Sequence, residues 1–197
     1  MLNKFRKNIE PILHKIGLYF AKTGLGPNFW TIAGLVFSIL AGLTFSSAFF
    51  ITYSDYYIIM LASLFLLISG FFDIVDGAVA RTTKKTSTKG AFFDSVSDKI
   101  SESIIFIGIT IGNLSNPVLS ISAISCSLLV GYIRSRAESI GINLGGIGIG
   151  ERAERIIILC IFGLIPMPHS LDFGLSIIII ISIITIIQRI SFTLKKV

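Results

Sequence analysis

Charge is what this chain has least of. Of its 197 residues only 14% are Asp, Glu, Lys or Arg, while 53% are hydrophobic. Soluble domains carry about 25% charged residues, so the shortage excludes an ordinary soluble fold and favours a membrane protein. Cysteine is scarce too. Cys126 and Cys160 lie in apolar stretches without metal-ligand spacing; they read as small buried hydrophobes and carry no information on redox compartment. No signal peptide is expected, because Lys4, Arg6, Lys7, Glu10 and Lys15 interrupt the first 25 residues. Internal repeats, linkers and low-complexity tracts are also lacking, so residues 1–197 are expected to form a single unit. The net charge of +6 does not indicate nucleic acid, since the basic residues mark one side of a membrane.

What is present is a series of apolar stretches. Leu2, Phe5, Ile9, Ile12, Leu13, Ile16 and Phe20 recur at steps of three and four with charges between them. That spacing predicts an amphipathic helix over 2–22 lying in the membrane interface, with a kink at Pro11. After "TGLGPN" (23–28), stretches at about 29–51, 56–80, 90–112, 117–138, 152–166 and 173–190 are each expected to cross a hydrocarbon core of roughly 30 Å. The fifth is the shortest, and its "GIGERAER" approach must be partly embedded. The expected class is therefore an all-α integral membrane protein with six transmembrane helices. Lys and Arg are absent from the presumed outer connections 52–55, 113–116 and 166–172; all 17 fall on the other side. This asymmetry predicts that both termini are cytoplasmic. A soluble helical bundle would not segregate its charges in this way.

Against that apolar background, "DIVDGAVARTTKKTSTKGAFFDSVSD" (73–98) holds four of the chain's 11 acidic residues. Asp73 and Asp76 share one helix face, Asp94 and Asp98 share a face of the next helix, and the short connection 82–89 makes the two helices antiparallel neighbours. Four converging carboxylates near a low-dielectric boundary need a cation between them. With no His or Cys nearby, the donor set favours Mg²⁺, Mn²⁺ or Ca²⁺ over zinc. Four acids suffice for two ions, an arrangement suited to phosphoryl transfer. Gly77 allows close approach of a ligand and Ala80 keeps the same face slim, although either alone would read as a helix-packing residue. Arg81 can reach a phosphate or act as a basic anchor. Ion pairing of the acids with the basic residues of 81–89 is the bland alternative.

Asp73, Asp76, Gly77, Ala80, Arg81, Gly90, Asp94 and Asp98 match every fixed position of D-x2-D-G-x2-A-R-x8-G-x3-D-x3-D, the signature of the CDP-alcohol phosphotransferase family. The chain resembles that family over its whole length, including "GPNFWT" before the first span. The resemblance implies a divalent-metal-dependent transferase in which Asp73, Asp76, Asp94 and Asp98 hold two Mg²⁺ or Mn²⁺ ions. It also implies that Asp98 acts as general base and that Asn28, Thr31, Asp73, Gly77 and Arg81 bind the CDP-lipid. Asn28 and Thr31 read equally well as caps of the first span. Glu102 reads as a second-rank member of the acidic face or as a partner of Lys99.

The acceptor must be read elsewhere. Arg134, Arg136, Arg152 and Arg155 cluster in "GYIRSRAESIGINLGGIGIGERAERIIIL" (131–159), as a phosphorylated alcohol would require. Arg134 with Glu138 and Glu151 with Arg155 equally form i,i+4 pairs. "YIRSRAE", "ERAER" and "IIQRI", which adds Arg189, resemble the inositol-phosphate-using branch of the family. That branch implies transfer of an archaetidyl or phosphatidyl group from CDP-archaeol or CDP-diacylglycerol to inositol 1-phosphate, with release of CMP, by a homodimer. Glycerol 3-phosphate as acceptor is the nearest alternative. A cation transporter is the alternative from another class, but it would place its acids near mid-membrane.

Overall fold

The computed structural model describes residues 2–50 and 55–197, with side chains from residue 10 to 50 and from 56 onward. The expected end of the first span at residue 51 and the connection 52–54 lie outside them, as do the side chains of Leu2, Phe5 and Ile9. Among the described residues there are seven helices and no strand: α1 (Leu2–Ala21), α2 (Pro27–Ser47), α3 (Asp55–Thr82), α4 (Thr88–Ile111), α5 (Pro117–Ser139), α6 (Arg152–Leu164) and α7 (Ser170–Leu194). Pro11 lies inside α1. Pro27 and Pro117 each stand in the first turn of a helix, where a missing N–H costs nothing.

Four of these helices, α2, α3, α5 and α7, are long and apolar enough to cross a membrane, against the six expected. The difference has a physical cause. Lys89, Asp94, Asp98, Lys99 and Glu102 load the first two thirds of α4 with charge. α6 has only 13 residues, about 20 Å of helix.

α2 is the central helix and packs on both α3 and α4. It runs parallel to α4: Gly90 faces Asn28 at one end, and Gly108 and Gly112 face the backbone of Gly42 and Phe45 at the other. Any Cβ at Gly108 would enter the Gly42 carbonyl, so glycine is required for the two backbones to touch. α5 packs on α7, and α6 lies between α3 and α7. α1 docks on the end of α3, where Gly17 faces Ala78 and Thr82, and its Phe20 meets Trp30 of α2 edge-on at 4.9 Å. The apolar core, including Phe45, Leu66, Ile109, Leu175 and Ile178, fills the far part of the bundle.

The pattern of exposure is inverted relative to a soluble bundle. Leu43, Leu67, Ile121, Ile180 and Ile187 face outward, whereas Ser38, Ser63, Ser69, Ser127, Ser182 and Thr185 are buried. Small hydroxyl residues inside and branched apolar residues outside are what helices packed within lipid require.

Candidate metal and diphosphate site

The acids collect where α3 ends and α4 begins. Asp73 and Asp76 lie in the last turns of α3 and Asp94 and Asp98 in the first turns of α4. Ser87 caps α4, its hydroxyl accepting from the Gly90 N–H at 3.0 Å. One carboxylate oxygen from each of Asp73, Asp76 and Asp94 lies within 4.8 Å of the others. Asp98 stands outside that triad.

Each acid is held differently. Thr31 on α2 donates its hydroxyl to Asp76 Oδ2 at 2.7 Å, and both residues are buried. Arg152, the first residue of α6, bridges Asp73 Oδ1 at 2.5 Å and Asp98 Oδ1 at 2.6 Å. Asp94 Oδ1 is buried without a hydrogen-bond partner. An uncompensated buried carboxylate oxygen is costly, so an all-oxygen site for a hard divalent cation fits these residues. The four acids lie near helix ends, not at mid-helix as an ion path would need.

Beside the triad opens a cavity of about 270 Å³, lined among others by Asn28, Thr31, Asp76, Gly77, Arg81, Gly90 and Asp94. Gly77 leaves room for the Arg81 guanidinium, which would approach a Cβ there to 3.2 Å. Asn28 and Thr31 do not cap α2. Its N-cap is Gly26, with no side-chain bond, and both residues turn to the cavity instead. On the other flank, an apolar groove of about 450 Å³ runs from Asp73 between α3 and α6, past Phe71, Ile74, Ala153 and Ile156.

The five arginines of the second cluster take separate places. Arg134 pairs with Glu138 at 2.9 Å and Arg136 reaches Ser139 at 3.3 Å, both at the surface. Arg155 is buried, but its partner is not Glu151. It donates to Glu102 Oε1 at 2.5 and 3.0 Å and to the Gly150 carbonyl at 2.6 Å. Arg189, only 1% exposed, donates to the Ile147 and Val130 carbonyls, each at 2.8 Å, and reaches Glu151 at 3.5 Å. Each of Arg134, Arg155 and Arg189 thus has its own carboxylate, Glu138, Glu102 and Glu151. Lys99 bonds Glu102 at 2.9 Å, as one of the two sequence readings had it. Thr185, whose hydroxyl accepts from Ile149 and Gly150 N–H groups at 3.2 and 2.9 Å, was missed. The available signal was Ser182, Thr185 and Arg189 on one face of α7, hidden within an isoleucine run.

The model of the CDP-alcohol phosphatidyltransferase family matches residues 25–190. The archaetidylinositol phosphate synthase of Pyrococcus horikoshii is 36% identical over 196 residues, covering 100% of this chain and 98% of that protein. The phosphatidylinositol phosphate synthase of Streptomyces avermitilis is 31% identical over 206 residues, 96% of this chain and 81% of its own. Among solved structures, Mycobacterium tuberculosis phosphatidylinositol phosphate synthase with CDP-DAG bound superposes with a TM-score of 0.76. It shares 26% sequence identity and covers 93% of this chain and 94% of its own. The same enzyme in complex with manganese and citrate also gives 0.76, at 25% identity, covering 92% and 88%.

Proposed function

Because the chain belongs to the CDP-alcohol phosphatidyltransferase family, we propose that it transfers a phosphatidyl-type group, of the archaetidyl kind, from a CDP-linked lipid to inositol 1-phosphate with release of CMP. The observation that carries this reading is the convergence of Asp73, Asp76 and Asp94 beside a cavity bearing Asn28, Thr31, Gly77 and Arg81. The relatives named for inositol phosphate chemistry support the acceptor.

Asp73, Asp76 and Asp94, with Asp98, would hold two divalent cations, Mg²⁺ or Mn²⁺; a relative has been solved with manganese. Such cations, when bound, offset charge on the diphosphate during displacement. The cytidine side lies in the 270 Å³ cavity, with Arg81 on a phosphate. The lipid tails follow the apolar groove between α3 and α6, which starts at Asp73. Asp98 takes the proton of the acceptor hydroxyl. The hydroxyl oxygen bonds to the lipid-side phosphorus as the bond from that phosphorus to the CMP oxygen breaks.

The acceptor phosphate is assigned to the arginine side. Its oxygens compete with Asp73 and Asp98 for the N–H groups of Arg152. Arg134 and Arg136 approach from the surface, and Arg155 and Arg189 form the positive wall behind. A phosphate among these groups gains charge-assisted bonds that free inositol does not offer.

We extend the reading to the membrane. α4 crosses with the four longer helices, its charges lying toward the site end, and α6, about 20 Å long, crosses with its "GIGERAER" approach partly embedded. α1 lies in the interface. The confinement of Lys and Arg to one end supports a cytoplasmic site and cytoplasmic termini, and the functional unit is a homodimer.

CMP release from CDP-archaeol and CDP-diacylglycerol tests the reaction with inositol 1-phosphate, free inositol and glycerol 3-phosphate as acceptors. Inositol 1-phosphate should be used fastest. Faster release with glycerol 3-phosphate at equal concentration overturns the acceptor, while leaving the reaction class intact.

A further inference from the structure

Two carboxylate–guanidinium rungs join α4 to α6. The outer rung is Asp98 to Arg152 at 2.6 Å. The inner rung is Glu102 to Arg155 at 2.5 Å, four residues further along α4 and three along α6. The rungs differ in what surrounds them. The outer one belongs to the candidate site and is partly exposed, Arg152 at 14% and Asp98 at 24%. The inner one lies behind it, and both its members are 3% exposed.

The inner rung also holds the start of α6. Arg155 carries its remaining contact to the Gly150 carbonyl at 2.6 Å, two residues before Arg152. The preceding segment turns through Gly146 and Gly148, both at positive φ. Its N–H groups at Ile149 and Gly150 meet the Thr185 hydroxyl. Glu102 Oε2 is anchored in turn by Lys99 at 2.9 Å. Two N–H groups of Arg155 converge on the single Oε1 of Glu102, and these buried charge-assisted bonds hold the guanidinium in one orientation.

We infer that Glu102 is a positioning residue: acting through Arg155, it fixes the first turn of α6 and so aims Arg152 at the acceptor phosphate. This rests on the acceptor reading above. It follows that Glu102 governs the acceptor side of the site and not the donor side, although α4 carries both.

The test is a double-mutant cycle in detergent-purified protein, reading apparent KM for inositol 1-phosphate, apparent KM for CDP-lipid, and Tm. Glu102→Gln keeps the shape but removes the charge. It should raise the KM for inositol 1-phosphate about tenfold and leave that for CDP-lipid within about twofold. In an Arg152→Lys background, where the aimed group is already altered, the same substitution should add less than about twofold. A tenfold rise in both backgrounds, or an equal rise in both KM values, overturns the proposal. Should Glu102→Gln not fold, Arg155→Lys takes its place, since it retains the charge pair but cannot also reach Gly150. A folded Arg155→Lys enzyme with wild-type KM values refutes the inference. Failure of wild-type enzyme to use inositol 1-phosphate would instead sink the acceptor reading, and the cycle would then be run with glycerol 3-phosphate.

Discussion

Thr31→Val removes one hydroxyl and little else. In the structure that hydroxyl donates to Asp76 Oδ2 at 2.7 Å, with Thr31 at 8% exposure and Asp76 at 6%. Water therefore cannot readily replace the bond. A hydrogen bond to a charged group contributes about 1.5–3 kcal/mol. If its loss falls on the orientation of Asp76, cation affinity should drop roughly 10- to 150-fold, at about 1.36 kcal/mol per decade. That range overlaps the roughly 10- to 100-fold measured for residues that orient metal ligands in other proteins. The assay is CMP release against Mn²⁺ concentration at saturating CDP-lipid, paired with calorimetric titration of Mn²⁺ into lipid-free protein. Half-saturating Mn²⁺ should rise by at least about tenfold in both, while kcat at saturating metal stays within about threefold. An unchanged Mn²⁺ requirement, with a raised KM for the CDP-lipid, would show that Thr31 serves the nucleotide and not the metal ligand.

Asp98→Asn should lower kcat about 10²- to 10⁴-fold, the usual contribution of a general base, with CDP-lipid binding retained. Asp94→Asn should instead raise the Mn²⁺ requirement; near-wild-type turnover by Asp98→Asn refutes the assignment of the base. In a background lacking Cys126 and Cys160, Thr86→Cys should react with a membrane-impermeant maleimide only from the cytoplasmic side and Met167→Cys only from outside; the reverse labelling overturns the orientation. Gly108→Leu must push α4 away from the Gly42 carbonyl, at a cost of about 2–3 kcal/mol, or roughly 4–12 °C in Tm. An unchanged Tm in detergent would mean that the α2–α4 contact is not tight.

Local pattern made much of this molecule readable. Helices occur over each apolar stretch picked out by spacing, with ends displaced by a few residues: α2 begins at Pro27 and ends at Ser47 where 29–51 was expected. The convergence of Asp73, Asp76 and Asp94 follows from two i,i+3 or i,i+4 pairs and one short connection, all local facts. The arginines were harder because their partners are remote in sequence. Spacing offered Arg155 to Glu151 within one helix turn. The fold gives it Glu102 instead, 53 residues away, since a buried guanidinium needs a carboxylate that can accept two bonds. Arg152 could not be assigned to Asp73 and Asp98 from spacing alone, as that contact depends on how α6 leans on both α3 and α4. The count of spans differed because charge in α4 interrupts its apolar run and because α6 has only 13 residues.

The parallel course of α2 and α4 has an electrostatic consequence. Both helices begin at the site, Pro27 with Asn28 and Ser87 with Gly90 lining the same cavity, and α6 begins there as well, at Arg152. Peptide dipoles aligned along a helix leave about half a positive charge at its amino end. The amino ends of α2 and α4 line that cavity, and α3 brings its carboxyl end to it. The backbone therefore supplies a net positive field of about half an elementary charge there, before any side chain or cation is considered. No point substitution can delete that field, because it belongs to the direction in which the chain is threaded.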